Sequence, residues 1–174
     1  TIPVFRVFTK VVAGGKEIRS LTTGTDLQQF QTIRKVTFLT VQMAGNPGEV
    51  CVEASVAEHL GVQIGAEIRI GARDLPWLLT RKVTGIYKLS AADSLEETSA
   101  VLMSLADAAR LGRAPGKVNA LQIVLRTRAE ETAVAEQIRT ILPGHLIVTK
   151  SASAADLSRP TQAMIGVGLN VAAL

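Results

Sequence analysis

The stretch from Val4 to Val12 is predominantly apolar and predicts a strand; Ala13-Gly14-Gly15-Lys16 then supplies a hairpin turn, and Glu17 to Leu21 the return. Thr25-Asp26 offers an N-cap to a helix carrying Leu27, Phe30 and Ile33 or Arg34 on neighbouring faces. Val36 to Val41 reads as another strand. Gly45-Asn46-Pro47-Gly48 is a turn, followed by a short apolar strand, Val50 to Val52. Ser55 with Glu58 three residues later has capping-box form and starts a brief helix that Gly61 ends. Glu67-Ile68-Arg69-Ile70 alternates as a strand should, an apolar loop centred on Trp77 follows, and Lys82 to Tyr87 returns. Leu89 to Ser99 is a polar, acidic loop; Ser104 with Asp107 caps a short helix ended by Gly112; Arg113 to Lys117 is a loop.

The second patterned passage begins at Asn119. Leu121, Ile123 and Leu125 mark a mostly buried strand, and Thr127-Arg128-Ala129-Glu130 has capping-box form. Val134, Ile138, Ile141 and Leu142 then share one helical face, Pro143-Gly144 stops the helix, and Leu146 to Thr149 returns as a strand. This is a β-α-β unit, with a right-handed crossover if its strands are parallel neighbours. The N-terminal strand, helix and strand suggest a comparable layer. The expected fold is therefore α+β: two β-α-β-like parts, residues 1–44 and 118–155, forming one lobe, with a small β-rich lobe, 45–117, inserted between them. Ser151 to Ala155 reads as a linker, and 156–174 as a closing helix or the first turns of a membrane-spanning one. No internal repeat or low-complexity tract stands out.

Composition narrows the function classes. The chain has 174 residues, enough to bury a real core, and is 47% hydrophobic but only 3% aromatic. That scarcity of rings argues against a sugar-binding or base-stacking surface. The net charge is +4 and the pI about 9.6. Lys and Arg are nevertheless scattered, with Arg34-Lys35 and Arg81-Lys82 the only adjacent pairs, so a solvated surface is expected rather than nucleic-acid binding. The single cysteine, Cys51, excludes an intrachain disulfide and sits between valines as a small apolar residue would. The chain starts at Thr1 with no signal-peptide pattern and reads as a piece of a longer protein.

Candidate chemistry is sparse. His59 and His145 lack His, Cys or carboxylate partners at metal-ligand spacing. There is no G-x-S-x-G nucleophile elbow and no P-loop, so any ATP is handled by another polypeptide. Gly166-Val167-Gly168 lacks the third small residue of a dinucleotide fingerprint. Glu96-Glu97 and Glu130-Glu131 are adjacent carboxylates, read as a solvated loop and the negative first turn of a helix. No catalytic, cofactor-binding or metal-binding residue is assigned. What remains is the apolar loop, with Leu75, Trp77 and Leu78 as candidate contacts for a partner or substrate. The alternative is that this loop folds back and Trp77 packs on its own lobe.

From Gly45 onward the order of these elements carries a resemblance. GNPGEVCVEASVAEHLGVQIGAEIRI, the return strand ending VTGIYK, the segment Val101 to Leu111, the strand Val118 to Leu125, a helix and Leu142-Pro143-Gly144 stand in sequence. The chain in this respect resembles the extracytoplasmic domain of MacB/FtsX/LolC-type ABC transporter permeases. The resemblance implies a non-enzymatic domain between two membrane-spanning helices, on the outer side of the cell (inner) membrane. It further implies a separate ATP-binding subunit in the cytoplasm, a second permease copy or homologue, and a periplasmic adaptor or hydrophobic or lipid cargo. No cofactor and no nucleic acid are implied. The absence of a long hook-like insertion sets it apart from the lipoprotein-releasing branch. A second resemblance, confined to EASVAEHLGVQIGAEIRI, is to small β-barrels of AbrB-type regulators and of the N-domains of unfolding ATPases. It implies a cytoplasmic nucleic-acid-binding or adaptor module.

Overall fold

The computed structural model describes residues 1–33, 37–39, 46–88, 99–125, 130–141, 146–150 and 164–169. Its centre is a closed six-stranded barrel. The hairpin β1 (Ile2–Ala13) and β2 (Lys16–Thr25) turns through Gly14 and Gly15, both at positive φ. After helix α1 (Leu27–Ile33) and the short β3 (Thr37–Phe38) come β4 (Glu49–Glu53), helix α2 (Ala54–Leu60), β5 (Glu67–Ala72) and β6 (Leu79–Lys88). Strand β7 (Ser99–Ser104) and helix α3 (Leu105–Leu111) complete it. Around the ring the order is β2-β7-β4-β6-β5-β1, and β1 pairs back onto β2. Closure removes the bare edges that an open sheet of these strands would present.

Burial explains why the walls read as they do. In β4, Val50 and Val52 face the barrel interior with Ile68, Ile70, Val83, Val101 and Met103. Cys51 and Leu102 point outward, where Leu27 and Phe30 of α1 cover them beside Tyr87. Both faces of β4 and β7 are thus dry, which is why these strands are continuous apolar runs without alternation. Burial pushes the Tyr87 hydroxyl well above its ordinary pKa, and Glu53 and Cys51 add to the effect. One polar pair lies inside the barrel: the hydroxyls of Thr9 and Thr22 are 2.7 Å apart, and Thr9 also donates to the Ser20 carbonyl.

The helices start where the sequence offers caps. Asp26 accepts from the N–H groups of Gln28 and Gln29 at the start of α1, and the Ser104 hydroxyl accepts from Asp107 N–H at the start of α3. For α2 the cap is Glu53 rather than the expected Ser55, its carboxylate accepting from the N–H groups of Ser55 and Val56. Gly61 ends α2 at φ 68°, the left-handed conformation that favours glycine.

Outside the barrel lies a second layer: β8 (Ala120–Val124), helix α4 (Glu131–Ile141), β9 (Leu146–Lys150) and β10 (Met164–Leu169). Strand β10 lies between β8 and β9 and is antiparallel to both. Helix α4 packs Val134, Ala135 and Ile138 against Leu121, Ile123 and Leu125, while Ile141 is left exposed. The layer joins the barrel through β1, which pairs Ile2–Val4 with β8 and Thr9–Val12 with β5 on the same edge. At the fork the Asn119 side chain fills the missing ladder position. Its amide donates to Arg6 O at 2.7 Å and accepts from Arg6 N at 2.8 Å. Asn119→Ala is expected to leave both Arg6 groups short of a partner and to cost about 1–3 kcal/mol. Urea unfolding reads this; a cost below about 0.5 kcal/mol would mean water replaces the amide freely.

The barrel is built from two copies of one unit. Strand, cap, seven-residue helix and glycine recur 51 positions apart: Val50/Val101, Ala57/Ala108, Leu60/Leu111, Gly61/Gly112 and Gly65/Gly116. The pairing obeys a two-fold relation. Across β4 and β7, Val50 meets Met103 and Val52 meets Val101, centred on Cys51 and Leu102. Across β1 and β5, Lys10 meets Gly71 and Val12 meets Arg69, centred on Val11 and Ile70. One copy is β4-α2-β5-β6; the other is β1-β2 completed by β7-α3. Asp107 in α3 fastens the two, accepting from Gly48 N–H at 2.8 Å and lying 3.5 Å from the Arg81 guanidinium of β6.

These facts correct the expected fold class. The protein is mainly β with a closed barrel, not an α+β pair of β-α-β-like parts around an inserted lobe. The hairpin of segment 1–44 belongs to the same barrel as the strands of 45–117, because β2 finds its partner in β7. Within the expected closing helix 156–174, residues Met164–Leu169 form a strand; the remainder lies outside the described residues, as do 151–155 and the Thr127 to Ala129 part of the capping box. Of Val36 to Val41, only Thr37–Phe38 are described as strand, and 89–98 of the acidic loop lie outside. Among the described residues no helix is long and apolar enough to cross a membrane.

Candidate functional site

The two copies differ at their hairpin turns. Between β1 and β2 the connection is the two glycines 14 and 15; between β5 and β6 it is six residues, 73–78. This longer loop is the apolar segment singled out in the sequence. It folds back onto the barrel: the Trp77 carbonyl lies over Gly71 so closely that a Cβ there would meet it at 2.3 Å. Leu75, Trp77 and Leu78 are all half-buried, Pro76 is exposed, and Trp77 packs against the barrel core. The Arg113 guanidinium sits 6.0 Å from the indole centroid. Arg113 is the one non-glycine residue with positive φ among those described, at 56°. The preceding Gly112 is committed elsewhere, since a Cβ there would fall 2.4 Å from the Phe5 ring.

Beside the loop a cleft of about 610 Å³ opens on the barrel's outer surface, lined by Phe8, Thr9, Arg19, Ser20, Arg73 and Asp74. Phe8 is 61% exposed. It occupies the outward phase of β1, between Arg6 and Lys10, where alternation calls for a polar residue. Arg73 N–H donates to Phe8 O at 2.8 Å, which anchors the start of the loop, and its guanidinium lies 5.5 Å from the ring centroid. Arg19 on β2 faces Lys10 across the ladder, and Glu17 lies between their charges at 3.6 and 3.4 Å. Arg73 is paired with Asp74 at 3.3 Å. The cleft thus combines an open ring, two guanidinium groups and one lining carboxylate.

The sequence-derived candidates and this cleft meet only in part. Leu75, Trp77 and Leu78 form the loop beside it but do not line it. Phe8, Arg19 and Arg73 belong to no sequence motif; the signal the sequence carries is Phe8 in the polar phase of its strand. His59 is exposed near the end of α2, where its carbonyl accepts from Lys16 Nζ at 2.7 Å, and His145 lies outside the described residues. No group of three or more His, Cys, Asp or Glu side chains that could hold a metal occurs among the described residues.

No family model and no curated protein sequence matches the chain. Among solved structures it is similar to a domain provisionally assigned to a permease protein from Porphyromonas gingivalis, with a TM-score of 0.47 and 11% identity. The alignment covers 100% of this chain and 63% of that one, so the chain spans less than two thirds of that domain's length. A likeness of this degree assigns no function.

Proposed function

We propose that the chain is a non-enzymatic extracytoplasmic domain of an ABC transporter permease subunit, a mechanical element between ATP-driven membrane helices and a substrate or partner outside the cytoplasm. The sequence resemblance from Gly45 onward supports this reading. The observation that carries it is β1, a single strand of 12 residues shared by both layers. A push on the β8–β10–β9 layer reaches the barrel through one continuous strand roughly 40 Å long, held to β2 from Val4 to Ala13. A closed barrel then moves as one body, because its walls cannot shear without breaking ladder hydrogen bonds. ATP hydrolysis belongs, on this reading, to a cytoplasmic subunit, and a second permease copy or an adaptor meets the domain outside. Topology reporters inserted in the Arg113–Lys117 loop of the full-length gene product are expected to signal outside the cytoplasm. A cytoplasmic signal would overturn the reading.

The closed barrel itself favours a second reading, a cytoplasmic small-barrel adaptor or nucleic-acid-binding module. That reading requires a cytoplasmic reporter signal together with either a soluble protein partner or a DNA affinity that falls steeply with salt.

A further inference from the structure

We propose that the cleft between the β1–β2 hairpin and the 73–78 loop binds an acidic peptide segment of a partner protein. One apolar side chain of that segment lies on Phe8, and its carboxylates are held by Arg19 and Arg73. The inference does not rest on the permease reading; it concerns the barrel surface whichever polypeptide carries it.

Three observations lead to it. First, Phe8 is an aromatic side chain 61% exposed on a strand, and it stands at the concave place where two arginines converge. Second, neither arginine is committed to a buried partner. Glu17 and Asp74 are 41% and 84% exposed, and such surface pairs contribute only about 0–1 kcal/mol, so an incoming carboxylate replaces them at small cost. Arginine also presents a planar fork that matches a carboxylate bidentately. Third, the ring and the loop that form the cleft have no counterpart in the other copy of the duplicated unit. The two-fold relation places Glu67 where Phe8 stands and the Gly14-Gly15 turn where the loop stands, so the barrel architecture alone does not require the cleft.

Charge selects a peptide over other anions. Glu17 and Asp74 stand among the cations and repel a uniformly charged phosphate backbone, whereas a peptide offers N–H groups to them and carboxylates to the arginines. A single ring in the cleft gives no series of platforms for successive bases. A concave site carrying its own carboxylate is equally ill-suited to a flat anionic membrane. Recognition runs through side chains, because Arg6 is already bonded to Asn119 and Phe8 O to Arg73 N–H.

The test is fluorescence anisotropy of the whole chain with a labelled ten-residue peptide of alternating Glu and Leu. Parallel probes are the Lys-for-Glu peptide, oligothymidylate and phosphatidylglycerol vesicles. Saturable binding of the acidic peptide is expected, weakened about tenfold or more by Arg73→Glu and by Phe8→Ser and unchanged by Arg139→Glu on α4. Circular dichroism of each variant checks that the exposed substitutions leave the fold intact. No binding of the acidic peptide, binding indifferent to Phe8 and Arg73, or preference for oligothymidylate or vesicles would each overturn the proposal.

Discussion

Asp107→Ala is expected to lower the unfolding free energy by about 3–5 kcal/mol, the usual cost of removing one partner of a buried ion pair. The Asp107 side chain is 4% exposed and that of Arg81 14%. Without the carboxylate, the half-buried guanidinium keeps only the Thr80 carbonyl, since its Nε has no partner already. Gly48 N–H loses its acceptor at the same time. Both losses fall on the joint between the two copies of the unit, so the barrel should loosen there first. Urea unfolding of Asp107→Ala, alone and with Arg81→Met, separates the contributions. The second substitution should recover part of the loss by removing the stranded charge. A single-variant cost under about 1 kcal/mol would show that water enters the joint and solvates Arg81.

Gly24→Ala is expected to cost about 3 kcal/mol, at the upper end of what overpacking does. A Cβ at Gly24 would stand 2.2 Å from Ala108 Cβ, 3.0 Å from Ser104 O and 3.2 Å from Leu105 Cα. None of these atoms is the movable tip of a side chain, so α3 itself must shift away from β2. Ala108→Gly should relieve the closest contact, so a double-mutant cycle on thermal unfolding would give a coupling of opposite sign to the single losses. If Gly24→Ala unfolds within about 0.5 kcal/mol of the parent protein, α3 is not seated on β2 as described.

What the sequence made legible was local. The hairpin turn at Gly14-Gly15, the Asp26 and Ser104 caps and the strand–helix–hairpin of 50–87 all follow from neighbours within a few positions. Barrel closure does not, because nothing in Leu21 to Thr25 names Ser99 to Ser104 as its partner. The duplication was hidden because few positions beyond alanine, leucine and glycine at the helix and its exit repeat; the interior needs only apolar volume, and Val52 and Met103 serve equally. The apolar run Met164-Ile165-Gly166-Val167-Gly168-Leu169 suggests a helix. Two glycines, each disfavouring a helix by about 1 kcal/mol, with the β-branched Ile165 and Val167 beside them, favour the strand observed. The cleft was illegible for another reason. Arg19 and Arg73 look scattered along the chain, and only the pairing of β1 with both β2 and β5 brings them to one place.

The two-copy barrel is interleaved along the chain, and this sets when it can fold. The copy β4-α2-β5-β6 is contiguous, but it lies between the hairpin β1–β2 and the β7-α3 segment that completes the other copy. Leu21 meets Ser99, 78 positions later, and Ile2 meets Gln122 later still. A chain emerging from a ribosome or a translocation pore therefore holds five of its six barrel strands before the sixth arrives, with β2 and β4 showing bare edges until then. Such non-local closure makes for slow, all-or-none folding, and it leaves the partly emerged chain open to pairing with its neighbours for as long as β7 is withheld.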